Sequence, residues 1–322
     1  CREIQQYAEQ TEIEICHLNS EHVFDILITA FCGEDTAKVR ITNYHTNIVL
    51  EEKNGKTLLE TMVEGDHEEG LTDRSLLDME DIWDFAMTCD ISDVKDILDH
   101  QVDCNMAIAE EGMKHPYGAC IGQVLLDAWG DGIRNRACAK AAAGSDARMS
   151  GCELPVVINS GSGNQGITCS VPVVEYAKEL QSGEEKMYRA LTLSNLVAIH
   201  QKTGIGRLSA FCGAVCAGIA AGTGIAYLRG GNYKEVTHTI VNGLAIVSGI
   251  ICDGAKPSCA AKIASSVNAG ILGYEMYIRG QQFYGGDGLV AKGADNTIRN
   301  IGRLGKDGMA GTNDEIIKIM IE

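Results

Sequence analysis

Cys212, Cys216, Cys252 and Cys259 lie close together in a chain of 322 residues that carries thirteen cysteines. Thiolates are ligands for iron–sulfur clusters and for zinc, and a buried free cysteine is equally an inert small hydrophobe. Spacing alone leaves those three readings open. A second chemistry-bearing stretch is Ala141 to Gly166, AAAGSDARMSGCELPVVINSGSGNQG. Its last seven residues are glycine-rich, so they expose backbone N–H groups while Ser160, Ser162, Asn164 and Gln165 add side-chain donors. Such a nest suits a carboxylate or a phosphate, although its spacing fits neither a Walker nor a Rossmann loop. An ordinary tight turn is the plain alternative. Asp146 and Arg148 stand just upstream, placed either to orient one another or to clamp a carboxylate through a bidentate guanidinium. Arg299, beside Asn300 in a glycine-punctuated segment, is another anion-binding candidate; His45 and His115 rank low as isolated histidines.

The elements that would position these residues can be read from periodicity. Leu208 to Leu228 has no charge, and its many glycines and few large aliphatics favour a buried central helix over a membrane span. The glycine turn Arg229 to Tyr233 then leads into a second apolar stretch that ends at Cys252. In an antiparallel pair of helices, Cys212 lies 17 residues before the turn and Cys252 19 residues after it. At about 1.5 Å per residue the two thiols are level, across a gap of about 8–10 Å. Cys259 follows over a turn-rich segment, and Cys216, one helical turn past Cys212, is its rival as third or fourth ligand.

Upstream the pattern shortens. Runs at Ile13–Cys16, Phe24–Phe31, KVRITN and TNIVLEE alternate and close on Asn54-Gly55, which predicts strands with a hairpin. The fold class expected is α+β: a small domain over 1–70 and a large, mainly helical catalytic domain over 71–322. An acidic linker is placed near 64–75, and a single strand-like run at Leu154–Ile158.

Composition removes several functions. Basic residues number 27 and acidic ones 44, a net charge of −17, so nucleic acid and anionic lipid are repelled. No secretory or mitochondrial leader is visible, and so many thiols point to a reducing, cytoplasmic setting. Small residues crowd the middle of the chain, which implies helices whose backbones approach closely. A homodimer is the expected assembly.

Taken together, SDARMSGCELPVVINSGSGNQG, IGRLSAFCG, ICDGAKPSCAAK and NTIRNIGRLGKDGM resemble the L-cysteine desulfidase family, relatives of the iron–sulfur L-serine dehydratase alpha chain. The resemblance covers nearly all of the chain from His45 onward. It implies a [4Fe–4S] cluster held by Cys212, Cys252 and Cys259, with Cys216 left to packing. The implied reaction is β-elimination of L-cysteine to pyruvate, ammonia and sulfide, with L-serine dehydration as the alternative substrate reading. The Gly-Cys-Thr-Glu-Pro motif that carries the family's proposed catalytic base does not occur here. The base is therefore expected in an N-terminal segment outside this chain. That departure leaves a catalytically inactive cluster- or zinc-binding fragment as a further alternative. A pyridoxal-phosphate lyase, with Lys256 as its Schiff base, is the remaining one.

Overall fold

The computed structural model describes residues 2–22, 24–44, 46–62, 72–206 and 208–322. Their contacts divide them into two compact units, residues 1–73 with 311–322, and residues 74–310. The expected linker falls largely on residues 63–71, outside the described residues.

The first unit holds helix α1 (Arg2–Gln10) and an antiparallel meander, β1 (Asp25–Cys32), β2 (Asp35–Thr42), β3 (Ile48–Lys53) and β4 (Lys56–Glu60), paired in that order. The predicted hairpin closes at Asn54-Gly55, both with positive φ (51° and 74°), the backbone a two-residue turn of matching twist demands. Asn54 reinforces it by accepting from the Thr36 N–H and donating to Asp35. Ile13–Cys16 is not a strand, and α1, whose Ile4, Tyr7 and Ala8 follow helical spacing, was not foreseen.

The second unit is helical: α2 (Met79–Thr88), α3 (Ser92–Lys114), α4 (Ile121–Trp129), α5 (Ile133–Met149), α6 (Gly163–Glu179), α7 (Glu184–Thr203), α8 (Gly213–Leu228), α9 (Tyr233–Val247), α10 (Ser258–Tyr277) and α11 (Ala294–Arg303). A π-turn over Leu304–Gly308 ends this unit, and the final helix, α12 (Ala310–Ile321), belongs from Gly311 on to the first unit. This is the α+β class read from the sequence.

Helix α8 is the hub. It packs on α10, α7, α6 and α9, and all of its residues except Gly213 and Tyr227 are buried. Glycine makes the closest crossing possible: a methyl group on Gly222 would stand 2.6–2.7 Å from the backbone of Gly270, and one on Gly218 2.5–2.6 Å from Ser266 and the backbone N of Val267. Helices α8 and α10 thus touch backbone to backbone, and the polypeptide entering each of them is held in fixed relation to the other. Among the described residues no helix is long and apolar enough to cross a membrane.

Leu154–Ile158 is not a strand. The fully buried Asn105 side chain takes both main-chain groups of Val157, accepting from its N–H at 2.9 Å and donating to its carbonyl at 3.2 Å, in place of a ladder partner.

Candidate functional site

Helix α8 begins at Gly213, five residues later than the uncharged run suggests, so Cys212 is its N-cap and not a residue of its interior. Likewise α9 stops at Val247 and Cys252 lies beyond it. The two cysteines are level, as the spacing required, but they are not carried on facing helices. They sit on a short antiparallel bridge at the helix ends: Cys212 N–H donates to Ile250 O (3.1 Å), Cys252 N–H to Ala210 O (2.7 Å), and Phe211 pairs with Ile251. Ser209 forces this exit from helix, accepting from Phe211 N–H and donating to Gly305 O.

The bridge brings the two thiols close enough for each to shift the other's acidity. Donation from Cys212 holds the Cys252 thiol down to about 6, against burial and with help from the Gly254 N–H and the Lys262 ammonium. Cys212, the donor, is pushed up by that bond and by burial. Cys259 is the second residue of α10, half-buried, with its Sγ 3.5 Å from Gly254 O. Cys216 lies one turn into α8, fully buried, its thiol pushed up to about 12 by burial. It is a core residue here.

Two cations that sequence reasoning missed face the thiols. Lys262 lies three residues past Cys259 on α10, one helical turn, and is paired with Asp253. Burial opposes its charge, but Asp253 and the charge of Cys212 and Cys259 raise its pKa overall. Lys202 is only 7% exposed at the end of α7; burial lowers its pKa while Cys216, Cys252 and Cys212 counteract. The i+3 spacing was a usable signal for Lys262. Nothing local marks Lys202, which arrives through the α7–α8 contact.

The glycine-rich segment resolves into two parts. Asn159 and Ser162 exchange main-chain hydrogen bonds at 3.1 and 3.0 Å around Ser160 and Gly161, both with positive φ. Ser160 donates to Asn159, and Asn159 donates to Asn195 of α7, which anchors the turn from below. Gly163, Asn164 and Gln165 then open α6, whose first amides have no intrahelical acceptor. Arg148, at the end of α5, lies against that opening: its Nη1 donates to Asn164 Oδ1 at 3.3 Å, and a side chain at Gly163 would strike its guanidinium. Burial lowers the Arg148 pKa and the charge of Cys259 counteracts, so the arginine stands within electrostatic reach of the third cysteine. Among the described residues no carboxylate pairs with it.

Asp146 does not join Arg148. It is 1% exposed and accepts from Ala119 N–H (3.3 Å) and Ile121 N–H (2.7 Å), closing the start of α4. Burial raises its pKa and those amides partly offset the rise. Arg299 is exposed on α11 and donates to Asn296 one turn earlier, with nothing connecting it to the cysteines. His115 is an exposed C-cap residue of α3, and His45 lies outside the described residues.

The fold therefore sets Cys212 and Cys252 side by side on the bridge, with Lys202 and Lys262 in electrostatic reach of them, Cys259 in reach of Lys262 and Arg148, and Arg148 against Asn164 at the start of α6. Gln165 is 5% exposed, its Oε1 has no hydrogen-bond partner, and its carboxamide lies where a side chain on Gly213 would otherwise be. Among the described residues no three His, Cys, Asp or Glu side chains converge as ligands of a single ion.

The chain matches the family described as serine dehydratase alpha chain over residues 34–318. A UPF0597 protein of Desulfitobacterium hafniense (strain Y51) is 60% identical over 323 residues, spanning 99% of this chain and 74% of that protein. A UPF0597 protein of Lachnoclostridium phytofermentans is 48% identical, spanning 94% and 73%, and one of Treponema denticola is 46% identical, spanning 92% and 70%. No solved structure matches. A family match over most of the length, joined to relatives this close and this fully covered, means that the chain belongs to the serine dehydratase alpha-chain family.

Proposed function

We propose that this chain is an iron–sulfur lyase that eliminates the β-substituent of a small L-amino acid, with L-cysteine as substrate and pyruvate, ammonia and sulfide as products. The observation that carries the reading is the bridge that sets Cys212 and Cys252 side by side, together with an arginine that pairs with no carboxylate among the described residues and stands at the open start of a helix. A [4Fe–4S] cluster fits that donor set: Cys212, Cys252 and Cys259 would hold it, and Lys202 and Lys262 offset the charge that thiolates and sulfides bring into a buried place. When bound by three cysteines, such a cluster supplies an open iron as Lewis acid for the leaving sulfur or oxygen.

The chain's own residues bind and orient the substrate. Arg148 and Asn164, with the first amides of α6, take the substrate carboxylate through charge-assisted hydrogen bonds, and the helix dipole adds to them. Burial of Asn164 and Gln165 keeps water from the substrate, which strengthens each of these bonds. With the carboxylate fixed on α6, the β-carbon is directed toward the three cysteines. Once a base has taken the α-proton and the leaving group has departed, the aminoacrylate tautomerises to the imine, which water hydrolyses to pyruvate and ammonia.

L-Serine is the second reading, favoured by the description of the family matched over 34–318. Anaerobic purification followed by a visible spectrum with iron and sulfide analysis, and then an assay of both amino acids, tests the proposal. A broad cluster absorption with sulfide release from cysteine is expected. Pyruvate from serine alone would make this a dehydratase, and a protein without iron that does neither would overturn the lyase reading.

A further inference from the structure

Gln165 is the feature that the carboxylate site does not absorb. It lies in the first turn of α6, yet its head extends to α8: a Cβ built on Gly213 would stand 2.6–2.8 Å from the carbon, nitrogen and oxygen of its carboxamide. Gly213 directly follows Cys212 and opens α8. Its φ lies outside the left-handed region, so glycine is not there for its backbone freedom; it is there because the amide of Gln165 occupies the space. Nearly all of Gln165 is buried, and its Oε1 meets no donor.

A buried amide oxygen without a donor is costly and calls for an explanation. By half a turn of its head a carboxamide presents either an acceptor or two donors at one place. The position in question adjoins the peptide that carries Cys212. The atoms that three cysteines and a cluster would bring there, thiolate and sulfide sulfurs, are acceptors only.

We propose that Gln165 is a positioning residue that donates its Nε2–H to a sulfur of the cluster on the Cys212 side, with Gly213 kept free of a side chain to admit it. This rests on the reading that the three cysteines hold an iron–sulfur cluster. Hydrogen bonds to sulfur stabilise the more negative, reduced form and so raise the reduction potential. Removing the bond lowers the potential without removing a ligand.

The test is a dithionite titration of the anaerobically reconstituted full chain, followed by electron paramagnetic resonance, with iron and sulfide counted in every sample. Gln165→Leu is expected to keep wild-type iron and sulfide and to shift the midpoint to a more negative value. Gly213→Ala, in a helix that accepts alanine readily, is expected to displace the carboxamide and give the same shift. Because one bond is lost in either case, the double variant is expected to match the single ones and not their sum. Gln165→Asn, one methylene short, tests whether reach matters and is expected to fall with Gln165→Leu. A wild-type midpoint in Gln165→Leu at full cluster content would overturn the proposal while leaving the cluster in place. Loss of iron in Gln165→Leu, with the residual cluster at its wild-type midpoint, would also overturn it, because Gln165 would then be only structural. Wild-type protein that takes up no iron would overturn the cluster reading itself.

Discussion

Replacing Gly222 by alanine adds one methyl group at the α8–α10 crossing, 2.6 Å from the Gly270 carbonyl carbon and 2.7 Å from its Cα. Carbon atoms rest at about 3.5–4.0 Å, so the two helices must part locally by about 1 Å. The obstacle is main chain, which has no rotamer through which to move aside. Overpacking costs about 1–3 kcal/mol, and a rigid obstacle puts this site at the upper end. Alanine's better helix propensity returns at most about 1 kcal/mol. A net loss of about 2 kcal/mol follows, which at a denaturant slope of about 2 kcal/mol per molar lowers the urea midpoint by about 1 M. Both tryptophans, Trp83 and Trp129, lie in the helical unit, so their fluorescence follows its unfolding. Gly249→Ala is the control: Gly249 is exposed with open space around it, and its change is expected to stay within about 0.5 kcal/mol. A midpoint for Gly222→Ala equal to or above wild type would refute the backbone contact between α8 and α10.

Cys212→Ala, Cys252→Ala and Cys259→Ala are each expected to lose iron on anaerobic purification while Cys216→Ala retains it; full iron in any of the first three removes that residue from the ligand set. Arg148→Ala and Asn164→Ala are expected to keep the cluster but bind substrate at least about tenfold more weakly, since a charge-assisted bond is worth about 1.5–3 kcal/mol. Titrating cysteine or serine against the cluster absorption measures this, and unchanged affinity in both variants would move the carboxylate elsewhere. Asp295 accepts from His200 and from the Met79 N–H, and the His200 bond, ahead of the opposing effect of burial, lowers its pKa below 3.8. A carboxyl with a lowered folded pKa stabilises above its unfolded value, and that stability disappears as pH falls through the folded value. The difference in urea midpoint between wild type and Asp295→Asn is therefore expected to shrink as the pH falls below 3.8. A difference that grows on acidification would contradict the pairing.

Much of this was legible in the sequence because the signals were local. Asn54-Gly55 announced its hairpin, the change of hydrophobic period announced the helical region, and an uncharged glycine-rich run announced a central helix. What failed was non-local. Hydropathy cannot tell that Ser209 turns the chain out of helix before Cys212, so the cysteine-bearing bridge was read as two facing helices. Leu154–Ile158 has strand composition, but its hydrogen-bonding partner is the Asn105 side chain. Asp146 and Arg148, two apart on one helix, point to different neighbours, and only the fold shows that one closes α4 while the other faces α6.

The placement of the three cysteines also bears on damage and repair. Cys212 caps α8, Cys259 is the second residue of α10 and Cys252 lies on the bridge, whereas the α8–α10 crossing is held by backbone contacts at Gly218, Gly222 and Gly270. Amide protons in the interior of α8 would exchange only when the whole helical unit opens, while those of residues 210–212 and 250–252 would exchange once the bridge alone separates. On the proposed cluster reading, loss of the cluster would thus loosen a few peptide units and leave the scaffold standing, and the emptied protein would stay a folded receptacle open to reloading with iron and sulfide.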